Sequence, residues 1–142
     1  MKKGYLWLLV GIIPAIGLAA LAVRNPTNVA ETSETSEALK TRHYKTNLQN
    51  FVAETEKIIP TLSTYGQNWR VIESKTENNS ATIKAEVPVV IFTDDLEIKA
   101  NIDKEKGEIT VDVHSASRVG NSDFGENRRH ILQILEALDK KF

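Results

Sequence analysis

The chain has 142 residues and a formal net charge of −1, with the balance of apolar and charged side chains that is typical of one globular domain. It has no cysteine, which excludes disulfides, thiolate nucleophiles, zinc-thiolate sites and a lipidated cysteine. After residue 24 the acidic residues outnumber the basic ones by 19 to 15, since three of the 18 Lys and Arg residues lie earlier, and this excess argues against a nucleic-acid binder.

The first predicted element is hydrophobic. Lys2 and Lys3 precede an uncharged run over residues 4–23, which is long enough to cross a hydrocarbon core of roughly 30 Å. Residues 1–24 are therefore either a retained transmembrane anchor or a signal peptide, because the Ala-Leu-Ala sequence at residues 20–22 also suits a signal peptidase. The basic start orients the amino end toward the cytoplasm. Both interpretations place the rest of the chain outside the cytoplasm, either anchored or secreted.

Residues 25–38 form a polar segment with a short Thr-Ser-Glu repeat and little to bury. This composition predicts a flexible linker, followed by a globular domain over residues 39–142. Residues 40–45 are a candidate first strand.

A first helix is predicted from Thr46, whose hydroxyl and the side chain of Gln49 form a potential capping box. Its apolar side chains recur every three or four residues until about Ile59, which indicates one buried stripe. Pro60 and Gly66 mark its end.

The middle of the chain predicts strands. Residues 69–76 and 81–92 are two candidates, and Pro88 within the second requires a bulge or a free edge because proline cannot donate to a ladder. Apolar and polar residues then alternate over 96–102 and over 108–114, which indicates a hairpin with one solvent-exposed face.

The last helix is predicted to begin at Asp123, with Glu126 completing a capping box. Its stripe and that of the first helix must be buried against the apolar face of the sheet. The predicted fold is therefore α+β: a two-layer sandwich of a four- to five-stranded antiparallel sheet with both helices on one face, preceded by the anchor or signal peptide.

The predicted hairpin brings two distant segments together. Antiparallel partners have nearly constant index sums, so Asp94 and Asp95 should lie opposite residues 115–117. Side chains alternate along a strand, so Asp94 should face the helices and Asp95 should face away. Residues 94–95 and 115–129 are called the corner below.

Buried charge in the corner needs partners. Arg128 falls on or beside the buried stripe of the last helix, and Arg118 lies in the preceding loop, so we expect one of them to pair with Asp94. The hydroxyls of Ser115 and Ser117 would satisfy the remaining groups.

One interpretation of the corner is structural, a buried polar clamp that fixes loop 118–122 and the start of the last helix. Gly120 would supply an unusual backbone angle, and Gly125 would allow a close approach of helix and sheet.

A second interpretation is an anion or carboxylate site. Arg118, Arg129, Ser122 and the free N–H groups at the start of the last helix are its elements, although Asp123 occupies such groups itself.

A third interpretation is a hydrolytic or metal site built from Asp94, Asp95, Glu97, His114 and His130. It is disfavoured because Asp94 and Asp95 lie on opposite faces and because the histidines lack metal-ligand spacing. No cofactor or metal is therefore predicted, and His43, His114 and His130 are expected to be solvated. The candidate binding or clamp residues are Asp94, Asp95, Ser115, Ser117, Arg118, Gly120, Ser122, Asp123, Gly125, Asn127, Arg128 and Arg129.

Two motifs carry a family resemblance. Phe-x-Asp-Asp-Leu-Glu occupies residues 92–97, and Ser-Ala-Ser-Arg-Val-Gly-x-Ser-Asp-Phe-Gly-x-Asn-Arg-Arg occupies residues 115–129. Together they resemble the family called domain of unknown function 1499. Members that lack a Cys-rich N-terminal segment, as this chain does, are similar to cyanobacterial or plastid forms, which implies a periplasmic or thylakoid-lumenal domain.

The family brings no agreed activity. The leading hypothesis is a non-enzymatic, membrane-tethered extracytoplasmic module that binds a partner protein or a small anionic ligand through residues 118–129 of the corner. The alternative is an enzyme of unknown class, such as a hydrolase, that uses Asp94, Asp95 and Arg118.

Overall fold

A six-stranded antiparallel sheet forms the centre of the structure, a computed structural model that describes residues 27–142. Its strands are β1 (Val29–Glu31), β2 (Arg42–Tyr44), β5 (Arg70–Thr76), β6 (Ser80–Val89), β7 (Phe92–Asp103) and β8 (Glu108–Ser117). They are ordered β1-β8-β7-β6-β5, and β2 pairs with β8 further along the edge that β1 occupies. The α+β class is confirmed, with more strands than the four or five predicted.

The remaining elements within residues 27–142 are two helices and a small hairpin. Helix α1 (Leu48–Ile58) continues into a 3-10 turn (Ile59–Thr61), and β3 (Ser63–Thr64) pairs with β4 (Gln67–Asn68). Helix α2 (Glu126–Lys141) closes the domain.

The core lies between the helices and one face of the sheet. Because side chains alternate along strands, every second residue in the central parts of β6, β7 and β8 is buried, over residues 81–87, 94–100 and 109–115. Ile83, Ile98 and Val113 are neighbours across three strands. Phe51 of α1 and Leu135 of α2 belong to the same continuous buried cluster. The opposite face of the sheet carries polar and charged side chains and is the open face below.

The segment predicted to be a linker instead builds the edge of the sheet. Within residues 25–38, strand β1 pairs with the end of β8. Ser33 of the same segment forms an isolated β-bridge with Lys40. The Thr32 hydroxyl donates to Asp112 at 2.8 Å. The tether prediction is wrong for this part, because backbone hydrogen bonds to an existing edge need no apolar side chains. The anchor predicted over residues 1–24 lies outside the described residues, and none of the helices within 27–142 has the length and apolar character to cross a membrane.

The start of α1 differs by one residue from the predicted capping box. Asn47 has an extended backbone, and its side-chain oxygen accepts the N–H of Asn50 at 2.8 Å. Thr46 accepts only the side-chain amide of Asn50. The box is wrong because asparagine caps at least as well as threonine and stands one position closer to the helix.

Pro88 lies at a free edge, as predicted. The pairing of β6 with β5 stops at Glu86, so Pro88 extends beyond the last β5 partner while still opposing Thr93 of β7. Its missing N–H therefore breaks no bond to β5.

The turn between β6 and β7 yields a first testable prediction. Val90 has a φ of 56° and is exposed, a left-handed conformation that costs an ordinary residue about 1–2 kcal/mol. Val90→Gly is therefore expected to raise the free energy of unfolding by about 1 kcal/mol, measured by urea denaturation. Val89→Gly, in the adjoining strand, is the control and should lower it. A loss of stability in Val90→Gly would contradict the prediction.

Candidate functional site

The two halves of the corner meet as the register predicts. Asp94 pairs with Ser117, and Asp95 pairs with Ala116. Asp94 lies on the helical side and is only 3% exposed, whereas Asp95 is exposed on the open face. Both directions predicted from strand alternation are confirmed.

The ion pair predicted between Asp94 and Arg118 or Arg128 is wrong. Asp94 receives a hydrogen bond from Ser117, and its Oδ2 lies 3.4 Å from Nδ1 of His130. Arg118 pairs on the other face of the sheet, and Arg128 is exposed. One residue turns an α-helix by about 100°, so Arg128 leaves the buried stripe that Asn127 and His130 occupy.

His130, a residue of the disfavoured hydrolytic or metal interpretation, lies in the core beside Asp94. It was expected to be solvated, but it is 1% exposed and lies edge-on to the ring of Trp69, with ring centroids 6.0 Å apart. Its Nε2 lies 3.3 Å from Oε2 of Glu126. Helical spacing contained the signal, because His130 stands three residues after Asn127 and four before Ile134. His43 and His114 are exposed, as predicted.

Burial sets the protonation of this group. It raises the pKa of Asp94 to about 6, although the Ser117 hydrogen bond acts in the opposite direction. Burial also lowers the pKa of His130. Burial alone would raise the pKa of Glu126, but the Tyr65 hydroxyl and Arg129 hold it below its usual value. The buried pair therefore consists of a carboxyl group, Asp94, that loses its proton at a higher pH than usual, and an imidazole, His130, that burial keeps neutral.

Asn127 is the hub of the clamp. It is completely buried, and its side-chain oxygen accepts the Ser115 hydroxyl at 2.5 Å. Its amide nitrogen lies 2.8 Å from the Ser117 hydroxyl, 2.9 Å from the Asn28 carbonyl and 2.7 Å from Asp123. One side chain thus joins β8, the approach to β1 and the loop before α2.

Asp123 satisfies the start of α2, as predicted, but the capping box is wrong. Its carboxylate accepts the N–H groups of Gly125 at 2.8 Å and Asn127 at 2.9 Å. The residue at the cap itself is Gly125, with a left-handed φ of 82°. The Glu126 side chain does not reach back to the cap, and its Oε1 lies 2.8 Å from Nη2 of Arg129. These N–H groups are therefore already occupied.

Loop 118–124 is fixed by the chain that leads into β1. The Asn28 side chain donates to the Gly120 carbonyl at 2.8 Å, and the Asp123 N–H donates to the Thr27 carbonyl at 3.3 Å. Gly120 has the positive φ expected of it, 90°. Ser122 is half-buried, and its hydroxyl accepts the Phe124 N–H at 3.4 Å.

Arg118 lies on the open face. Its Nε lies 3.1 and 3.0 Å from the two oxygens of Asp95, and its Nη2 lies 2.6 Å from Asp95 and 2.9 Å from Glu86. Beside it is a depression of about 360 Å³. Its lining includes Ile72, Asp95, His114, Ala116 and Arg118.

Arg129 belongs to the helical side, where its guanidinium donates to the Phe124 carbonyl at 3.2 Å. The fold therefore does not bring Arg118 and Arg129 into one site, and Asp94 and Asp95 do not line one cleft. Among residues 27–142, no three His, Asp or Glu side chains are arranged to hold a metal ion.

Comparison with known proteins gives a family. The model described as "Protein of unknown function (DUF1499)" matches residues 20–138. No curated protein and no solved structure matches the chain. The match covers most of the chain, including Asp94, Ser117, Asn127 and the loop before α2, so the chain belongs to the DUF1499 family.

Proposed function

We propose that this chain is a non-enzymatic module, tethered to a membrane by residues 1–24 with its domain outside the cytoplasm, which binds a partner protein on the open face around Arg118. The observation that carries the proposal is the depression of about 360 Å³ beside a pre-positioned arginine. The uncharged run at residues 4–23 supports the tether.

The open face offers an arginine that is already ordered. Two carboxylates, Asp95 and Glu86, hold the Arg118 guanidinium, while its side chain keeps 46% of its surface exposed. A side chain that is held before binding loses little conformational entropy on binding, and arginine is enriched at protein interfaces. Ile72 lines the same depression and is exposed, so it adds an apolar contact.

The local charge favours a protein over a small anion. The positive charge of Arg118 is offset by Asp95 and Glu86, and the same depression is lined by Lys84 and Glu97, whose charges offset each other. An incoming anion would meet these carboxylates, and like charges repel at short range. A partner protein can instead place basic and apolar groups around Arg118.

The placement of the carboxylates supports a non-catalytic role. Asp94 is enclosed beneath the helices, and Asp95 is engaged with Arg118 on the other side of the sheet. A shared acid–base site would need both groups within reach of one substrate.

Site-specific photo-crosslinking tests the proposal. A photoreactive amino acid replaces Ile72 on the open face, or Glu136 on the exposed side of α2 as control, in the full chain within membranes of cells that make it. We expect a discrete protein adduct from position 72 and none from position 136. Arg118→Ala should reduce the yield, whereas Arg129→Ala should not, because Arg129 faces the helical side. Equal crosslinking yields from positions 72 and 136, or an adduct whose yield does not fall in Arg118→Ala, would contradict the proposal.

A further inference from the structure

Large exposed apolar side chains gather at one end of the domain. Each is at least 38% exposed, and Ile91 reaches 84%. They lie in the β3–β4 turn, the β6–β7 turn and the loop before α2. This apolar end consists of Tyr65, Val90, Ile91, Phe92, Val119 and Phe124.

Hydrogen bonds and register show that the apolar end is one surface. The Gln67 side chain donates to the Val90 carbonyl at 3.2 Å, which joins the two turns. The Tyr65 hydroxyl donates to Glu126, the first residue of α2. β8 ends at Ser117, which pairs with Asp94 of β7. Val119, two residues further along the chain, therefore lies at the end of the sheet that carries the β6–β7 turn.

Three residues of the apolar end have an unfavourable backbone conformation. Among the described residues, the non-glycine positions with positive φ are Tyr65 at 51°, Val90 at 56° and Phe124 at 53°. All three belong to the apolar end. Turns with positive φ favour glycine or asparagine, so fold stability alone does not account for large apolar side chains at these positions.

The other end of the sheet is polar. Its turns carry Glu-Asn-Asn at residues 77–79 and Lys-Glu-Lys-Gly at residues 104–107. Among the described residues, Ile102 is the one large exposed apolar side chain at that polar end. The exposed apolar side chains are therefore concentrated at the end at which β6 and β7 turn and β8 stops.

The chain enters the domain at this same end. Thr27 accepts the Asp123 N–H, and the next residue, Asn28, accepts the Ser117 N–H at 2.9 Å. Four peptide steps separate Val23, the last residue of the uncharged run, from Thr27, and they reach at most about 14 Å. The headgroup region on each side of a bilayer is about 5–8 Å thick. A tether in the bilayer thus keeps the apolar end beside the lipid surface.

We propose that the apolar end rests in the headgroup region of the bilayer, with Val90, Ile91 and Phe92 at its deepest point. This inference rests on the proposed membrane tether. Tyr65 belongs to a residue type that is enriched in this region of a bilayer. The exposed Arg129, whose guanidinium donates to the Phe124 carbonyl, supplies a cation for lipid phosphates at this end. The strands then run away from the membrane, which leaves the open face accessible from the side.

Fluorescence in vesicles tests the contact with lipid. Because the chain has no cysteine, single variants Ile91→Cys and Asn78→Cys can each carry one environment-sensitive dye. The full chain is reconstituted into vesicles of equal parts phosphatidylcholine and phosphatidylglycerol. We expect a shift to shorter wavelength, and quenching by headgroup-labelled nitroxide lipids, at position 91. The dye at position 78, on the polar end, should show neither.

Flotation of the same vesicles separates the two proposals. If the protein floats with the vesicles but the dye at position 91 emits at the same wavelength as the dye at position 78, the lipid contact alone is overturned. Protein that does not float overturns the tether, and the lipid contact with it. A wavelength shift at position 91 without nitroxide quenching assigns the apolar end to a second copy or another protein and overturns the lipid contact.

Discussion

Asn127→Leu is expected to destabilise the domain by about 3–5 kcal/mol, because each buried polar group left without a partner costs about 1–3 kcal/mol. Leucine preserves the approximate volume but cannot accept the Ser115 hydroxyl or donate to the Asn28 carbonyl. The Ser115 hydroxyl would stay buried without its acceptor, and the Asn28 carbonyl would keep only the Ser117 N–H. Asp123 would also lose the Asn127 amide, a hydrogen bond to a charged group that contributes about 1.5–3 kcal/mol. The free energy of unfolding is measured by urea denaturation of the full chain in detergent, followed by circular dichroism.

Arg128→Leu is the matched control for this prediction. Arg128 is the next residue of the same helix turn and is exposed, so its change should stay within about 0.5 kcal/mol. Hydrogen exchange gives a second readout, since the Asp123 N–H that bonds to the Thr27 carbonyl should exchange faster only in Asn127→Leu. An Asn127 variant as stable as the Arg128 variant would show that the clamp does not hold the loop.

The second large effect is a pH dependence centred on Asp94. Burial raises the pKa of Asp94 from 3.8 to about 6 in the folded domain. The folded state therefore retains a proton that the unfolded state releases, so the stability from Asp94 is complete below about pH 4 and is lost as the pH rises through about 6. Asp94→Asn stays neutral at every pH. Relative to the wild type, this variant should gain about 2 kcal/mol between about pH 4 and pH 7.

The comparison of variant with wild type isolates Asp94 from its neighbours. His130, Glu126, Asp123 and Asp95 are present in both proteins, and the lowered pKa of His130 acts in the opposite sense, because its contribution is lost as the pH falls. Ser117→Ala removes the hydrogen bond that lowers the pKa of Asp94, so it should move the wild-type loss of stability to higher pH. If the difference in the free energy of unfolding between Asp94→Asn and the wild type did not change with pH, the raised pKa of Asp94 would be contradicted.

Much of the fold follows from local pattern. Alternation over residues 96–102 and 108–114, with a polar turn between them, determined the hairpin and its register. A constant index sum then placed Asp94 beside Ser117. The position of Gly120 in a turn with positive φ, and the role of Asp123 at the start of α2, likewise depended on neighbours in sequence.

What the sequence determined by itself was therefore the two helices and the long strands, the meeting of the two motifs and the side of the sheet on which Asp94 lies, because these depend on periodicities of a few residues. Only the tertiary structure decided that β1 joins the sheet, that His130 rather than an arginine lies beside Asp94, and that Arg118 and Arg129 occupy opposite sides. It also decided that the apolar end gathers where the chain enters. Edge pairing through the backbone leaves little trace in side chains, and the partner of a buried charge depends on how helix and sheet are packed together.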